Sequence, residues 1–361
     1  MKRRLLSIAL LLGVAAPVLA QSTNSLNAPP PPHPAMRAPL PPRPATDMQA
    51  VLDQQAALGA RPIETLTPVQ ARLQPSPADA VKAVMRRRGM STAPDLAVVT
   101  RDLPYGSDPM QYARIYKPDA PAGAGPMPVV VYFHGGGWVI ADVNTYDATP
   151  RLMAKQLGAI VVSVEYRHAP EFKFPAQHDD AAAAYRWVLD NAASWGGDPA
   201  RLALAGESAG GNLAVATAIY ARDNRLTAPL HVLAVYPIAN STPTLPSRTD
   251  AALAKPLNTP MLRWFAYYYQ TTGTEGSDPR LNLVAADLRD LPPTTIVNAR
   301  IDPLRSDGET LAAAMRSAGD RVEQRTFPGV THEFFGMGPV VRGASDAENY
   351  AIARLRTAFT R

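Results

Sequence analysis

The chain has 361 residues, of which 46% are hydrophobic and 19% charged, with 37 prolines and no cysteine. That length fits one large α/β domain or two ordinary ones. The apolar content excludes a disordered chain, and the missing cysteines exclude disulfide scaffolds, zinc knuckles, iron–sulfur sites and thiol nucleophiles. The 36 Lys and Arg exceed the 31 Asp and Glu by five, but Lys2, Arg3 and Arg4 belong to the leader. Without them the excess is two, too small to argue for a nucleic-acid partner.

Residues 1–20 read as a secretory signal peptide: a basic start, an apolar stretch from Leu5 to about Ala16, then Val18-Leu19-Ala20. The apolar core is shorter than the roughly 20 residues that span a bilayer. The expectation is cleavage after Ala20, a periplasmic or secreted protein and no stable membrane span thereafter. From Ala28 to Pro44 proline dominates, favouring extended polyproline II backbone without a core. Residues 21–46 are therefore read as a disordered linker and 47–361 as the folded domain. The Pro39–Pro44 stretch also resembles a ligand for aromatic-lined grooves, though a spacer is the preferred reading.

Residues 45–92 look helical. Leu96–Leu103 and Tyr112–Tyr116 are expected to form an antiparallel edge. Strands are then predicted at Pro128–Phe133, Ile160–Val164, Leu202–Ala205, His231–Tyr236 and Thr294–Val297, each a short apolar run suited to burial on both faces. Amphipathic segments over 146–157, 178–193, 210–223, 307–318 and 346–359 alternate with them. The last two are expected to open with capping boxes, Ser306-x-x-Glu309 and Ser345-x-x-Glu348, and Gly319 sits where the first should stop. This alternation predicts a mostly parallel sheet flanked by helices. Two segments break the rhythm, the N-terminal helices and a stretch over 245–285 rich in aromatics (Trp264, Phe265, Tyr267, Tyr268, Tyr269). They are expected to fold over the carboxyl edge of the sheet, where open α/β sheets bind ligands.

Gly206-Glu207-Ser208-Ala209-Gly210 joins a predicted strand to a predicted helix. A turn that sharp needs small neighbours and leaves the Ser208 hydroxyl exposed as a nucleophile. Serine needs a base. Of six histidines, His33 lies in the linker, His134 and His168 in earlier loops, His178 at a helix start as polar dressing, and His231 on a strand. Only His332 lies in a late loop that can reach the sheet edge. Asp302, directly after a strand, is the expected acid; Asp307 is the alternative, explicable as helix-dipole compensation. The order Ser208, Asp302, His332 is that of α/β-hydrolases. His134-Gly135-Gly136-Gly137-Trp138 bares backbone amides after a strand, so Gly136, Gly137 and Ala209 are expected to form an oxyanion hole. A phosphate cradle is the rival, but the lysine-bearing nucleotide motif is missing.

Together these residues resemble the hormone-sensitive-lipase-like esterases, also called bacterial lipolytic family IV. HGGGW at 134–138, GESAGG at 206–211 and DPLRSDG at 302–308 carry the resemblance, with the histidine loop at 329–334. Tyr166 to Glu171 reads YRHAPE, similar to the family's YRLAPE. The resemblance implies an eight-stranded α/β-hydrolase sheet under a helical cap built from about 47–92 and 245–285. It further implies hydrolysis of short- to medium-chain carboxylic esters with no cofactor or metal. Two positions depart from the family: Glu207 stands where Asp is common, and Glu333 where Gly is usual. An amidase, formamidase or peptidase with the same triad is the alternative, then a non-catalytic small-molecule-binding homologue. The sequence leaves the physiological ester and the oligomeric state open.

Overall fold

The computed structural model describes residues 42–119 and 125–360. The expected leader over 1–20, and the expected linker as far as residue 41, lie outside them. Regular structure begins at Thr46, one residue inside the expected linker, and the Ala45 N–H donates to the Gly329 carbonyl at 2.8 Å. Three helices follow, α1 (Thr46–Ala57), α2 (Pro68–Arg72) and α3 (Pro77–Arg87). Thr67 with Gln70 and Ser76 with Asp79 close reciprocal capping boxes at α2 and α3, each with proline in the first turn.

Strands β1 (Val98–Pro104) and β2 (Tyr112–Pro118) form the antiparallel edge. The alternating part begins with β3 (Met127–Phe133), α4 (Ala148–Leu157), β4 (Ile160–Val164) and α5 (Ala176–Asn191). It continues through β5 (Gly197–Glu207), α6 (Ala209–Asp223) and β6 (Val232–Val235). Two helices interrupt, α7 (Pro246–Asp250) and α8 (Thr259–Tyr269), before β7 (Thr294–Ile301), α9 (Arg305–Ser317), β8 (Val322–Thr331) and α10 (Arg342–Phe359). The eight strands lie in the order β1-β2-β4-β3-β5-β6-β7-β8. Every pairing from β4 onward in that order is parallel. This is the α/β-hydrolase fold the motifs implied.

Alternate residues of the buried strands feed two cores. Val129, Val131 and Phe133 face α5, α6 and α9 through Tyr185, Leu213 and Leu311, while Val130 and Tyr132 face α4 and α10 through Met153 and Leu355. Helices α1 and α3 join the second core through Met48, Val51 and Val84. Both faces are covered, which is why the strands read as unbroken apolar runs.

The two capping boxes predicted for α9 and α10 do not form. Those helices start earlier, at Arg305 and Arg342, with Leu304 and Val341 at the cap positions and no side-chain cap bond. Ser306 instead lies inside α9, its Oγ accepting the Ser247 N–H at 3.1 Å. Glu348 of α10 accepts the N–H groups of Gly336 and Gly338. Distant chain satisfies these polar groups, so local spacing misled. Gly319 does follow the end of α9, with φ +99°.

Candidate active site

Strand register decides which loops meet. Phe133 pairs with Gly206, Glu207 with Val235, and Ile301 with Thr331. The residues that follow these strand ends therefore emerge along one edge of the sheet: the glycine loop after β3, Ser208 after β5, Asp302 after β7 and His332 after β8. Ser208 takes φ 57° and ψ −118° between β5 and α6, a conformation costly for any side chain. Its hydroxyl lies 2.9 Å from His332 Nε2, and His332 Nδ1 lies 2.7 Å from Asp302 Oδ2. The other oxygen of Asp302 accepts the Leu304 N–H at 2.8 Å. With Nδ1–H donated to Asp302, Nε2 is free to accept from Ser208. All three side chains are buried. Burial works against a charged His332, but the charge and hydrogen bond of Asp302, then Glu333 and Glu207, outweigh it and hold its pKa above the ordinary imidazole value.

Asp307, the alternative acid, lies elsewhere. It is buried in α9, where it accepts from Arg248 at 2.8 and 2.9 Å and from the N–H groups of Ala239 and Asn240. That bonding ties the segment around α7 to the body. His178 is not surface dressing: it is buried, with Nε2 2.9 Å from Asn212 Oδ1 and Nδ1 3.1 Å from the Tyr269 hydroxyl. Burial lowers its pKa to about 4.

The glycine loop turns through φ +96° at Gly136 and +58° at Gly137, a region that side chains resist. A Cβ on Gly136 would lie 2.0 Å from the Ile140 carbonyl oxygen, and one on Gly137 would lie 2.3 Å from the Phe265 ring. Among the described residues, the N–H groups of Gly136, Gly137 and Ala209 donate no hydrogen bond. The Ala209 amide is also the first of α6, where the helix dipole favours negative charge.

Ser208, His332 and Glu333 line the base of a cavity of about 360 Å³. Ile63 from the N-terminal segment and Leu257, Met261 and Phe265 from the insertion form apolar walls. Residues from both of these segments thus line the cavity together with Ser208 and His332. Arg72 of α2 fastens the first, with Nε 2.8 Å from the Val139 carbonyl and its fork on Glu171 of the YRHAPE stretch at 2.7 and 2.8 Å. The insertion's aromatics divide: Trp264, Phe265 and Tyr269 are buried, while Tyr267 is 75% exposed.

The two departures have partners that the sequence did not reveal. Glu207 is fully buried, accepting from the Tyr132 hydroxyl at 2.6 Å and from that of Tyr236. The Tyr236 ring packs 4.4 Å from that of His332, so Glu207 fixes a wall of the histidine. Burial raises the Glu207 pKa to about 7 against the pull of both tyrosines. Glu333 accepts from the Tyr146 hydroxyl at 2.6 and 2.7 Å, and its Oε1 stands 3.8 Å from His332 Nε2. Among the described residues, one group has the donor atoms and spacing to hold a metal ion: His134, Glu165 and His168.

A family profile for the alpha/beta hydrolase fold matches residues 130–336. Carboxylesterase NlhH of Mycobacterium tuberculosis is 39% identical over 271 residues, covering 74% of this chain and 84% of its own. Ethyl acetate hydrolase of Pseudomonas putida is 34% identical over 259 residues, 70% of this chain and 78% of its own. The hyperthermophilic esterase from the archaeon Pyrobaculum calidifontis superposes with a TM-score of 0.76 at 32% identity, over 88% of this chain and 98% of its own. The chain belongs to the hormone-sensitive-lipase-like branch of the α/β-hydrolase fold, a family of serine carboxylesterases.

Proposed function

We propose that this protein hydrolyses short- to medium-chain carboxylic esters through an acyl-enzyme. The single observation that carries the reading is the unbroken chain Ser208–His332–Asp302, opening at its serine end into a cavity with apolar side chains on its walls. Ser208 Oγ attacks the ester carbonyl while its proton passes to His332 Nε2, and Asp302 stabilises the imidazolium. The amides of Gly136, Gly137 and Ala209 receive the oxyanion. The C–O bond breaks, the leaving alcohol takes the proton from His332, and water repeats the sequence to release the acid. A cavity of about 360 Å³ is at the small end for ligand sites, in keeping with a short acyl chain.

The test compares p-nitrophenyl esters of increasing chain length with an anilide control. Ser208→Ala should lower kcat by about 10⁴–10⁶ while circular dichroism stays unchanged. A wild-type rate in that variant would remove Ser208 from the mechanism. An anilide rate matching the ester rate would favour an amidase, and failure of the wild type to take a fluorophosphonate label would favour a binding protein. We further propose export, resting on the basic, apolar and small-residue order of residues 1–20; N-terminal sequencing of the mature protein should begin at Gln21.

A further inference from the structure

The glycine loop begins at a buried cluster that the ester chemistry does not use. Phe133 and Val164 pair at the ends of β3 and β4, so the next residues, His134 and Glu165, lie side by side. His168 joins them from the following loop, at the position where the family's YRLAPE stretch has leucine. All three side chains are buried. Glu165 Oε1 lies 3.6 Å from His134 Nε2 and 3.1 Å from His168 Nε2, and the three atoms are within 4.8 Å of one another. None of the three has a hydrogen-bond partner of acceptable direction.

His134 Nδ1 faces the Gly135 carbonyl at 2.8 Å, so that nitrogen carries the hydrogen and the neutral ring turns the Nε2 lone pair toward Glu165. A buried carboxylate oxygen beside two imidazole nitrogens needs an N–H aimed at it or a cation held between them. An N–H from either ring would line up with Oε1 as a hydrogen bond, and neither His134 Nε2 nor His168 Nε2 makes one. A zinc ion bonded tetrahedrally at about 2.1 Å needs donors about 3.4 Å apart, close to the two separations here. The outer contacts also suit a ligand set: the Tyr166 ring stacks 4.3 Å from His134, and Glu165 Oε2 accepts the Val143 N–H at 2.9 Å.

We propose that His134 Nε2, Glu165 Oε1 and His168 Nε2 form a site for a divalent transition-metal ion of the zinc class. The ion braces the start of the glycine loop and takes no part in bond cleavage, so the proposal stands apart from the esterase reading. Untagged protein is stripped with chelator, loaded with Zn²⁺ or Co²⁺ at pH 7.5, both directly and after refolding in the metal, then gel-filtered. The expected result is one ion per chain, visible absorption from tetrahedral cobalt and a raised Tm. His168→Leu restores the family residue and should weaken retention by at least about 100-fold, more than the loss of an outer-shell partner; Ser208→Ala should bind as the wild type does. Wild-type protein that retains no ion by either route overturns the proposal and leaves an imidazole N–H as the partner of Oε1. Equal retention by His168→Leu overturns it as well. If that variant does not fold, the wild-type stoichiometry and cobalt spectrum decide.

Discussion

Glu333 shows how one residue can set the working range of a site. It takes φ +67°, where a side chain costs about 1 kcal/mol or more, yet it carries a carboxylate held by Tyr146 and 3.8 Å from His332 Nε2. That negative charge is among the groups that raise the His332 pKa. A base raised in this way loses activity as pH falls through its pKa. The acid limb of kcat/KM for p-nitrophenyl butyrate should therefore lie above the ordinary histidine value of about 6.5. Glu333→Gln should move the limb to lower pH, and Glu333→Gly should move it likewise while relieving the backbone. A limb unmoved in both variants would show that His332 titrates independently of this carboxylate. The sequence named Glu333 without its role because Tyr146 is 187 residues away. Ser208, Asp302, His332 and the glycine loop were legible because each sits in a contiguous motif directly after a strand.

At the scale of elements, the turn between β5 and α6 is where packing is least forgiving. A Cβ on Gly210 would lie 2.0 Å from the Phe133 carbonyl oxygen, and one on Gly206 would lie 2.1 Å from that of Gly210. Backbone on both sides cannot yield without separating β3 from α6. Gly210→Ala should therefore destabilise the protein by about 3 kcal/mol or more, at the severe end of single substitutions. Gly125→Ala, whose Cβ meets nothing within 4 Å, should leave the urea midpoint unchanged. Equal midpoints for the two variants would mean that the turn has slack the geometry denies. The strands themselves were readable because burial on both faces writes itself into composition, as in Val129–Phe133. Helix starts were less so: α2 and α3, in the N-terminal segment, use their own Thr67 and Ser76, whereas α9 begins against α7 and leaves Ser306 to bond Ser247. Local spacing reports local caps only.

For the molecule as a whole, buried carboxyls set stability against activity as pH changes. Glu207 has a pKa of about 7, and Asp307 one of about 6 despite Arg248, both through burial; unfolded values are near 4.3 and 3.9. A pKa raised on folding gives stability that is complete below the unfolded value and is lost as pH rises through the folded one. For Glu207 that window runs from about pH 4.3 to about pH 7, where falling protonation of His332 should be increasing activity. His178 acts in the opposite sense: its pKa of about 4 lies below the unfolded 6.5, so its contribution is lost as pH falls from 6.5 through 4. The two slopes oppose each other across much of the same range, and the wild-type curve alone cannot separate them. Glu207→Gln can, because it keeps an acceptor between Tyr132 and Tyr236 but does not ionise. Measured by urea unfolding, the stability difference should shift in favour of the variant by about 3 kcal/mol between pH 4 and pH 8. The titrations of His178 and Asp307 cancel from that difference, since neither is bonded to Glu207. A difference that stays constant with pH would mean that Glu207 ionises in the folded chain as readily as in water, and burial behind the nucleophile would then carry no cost.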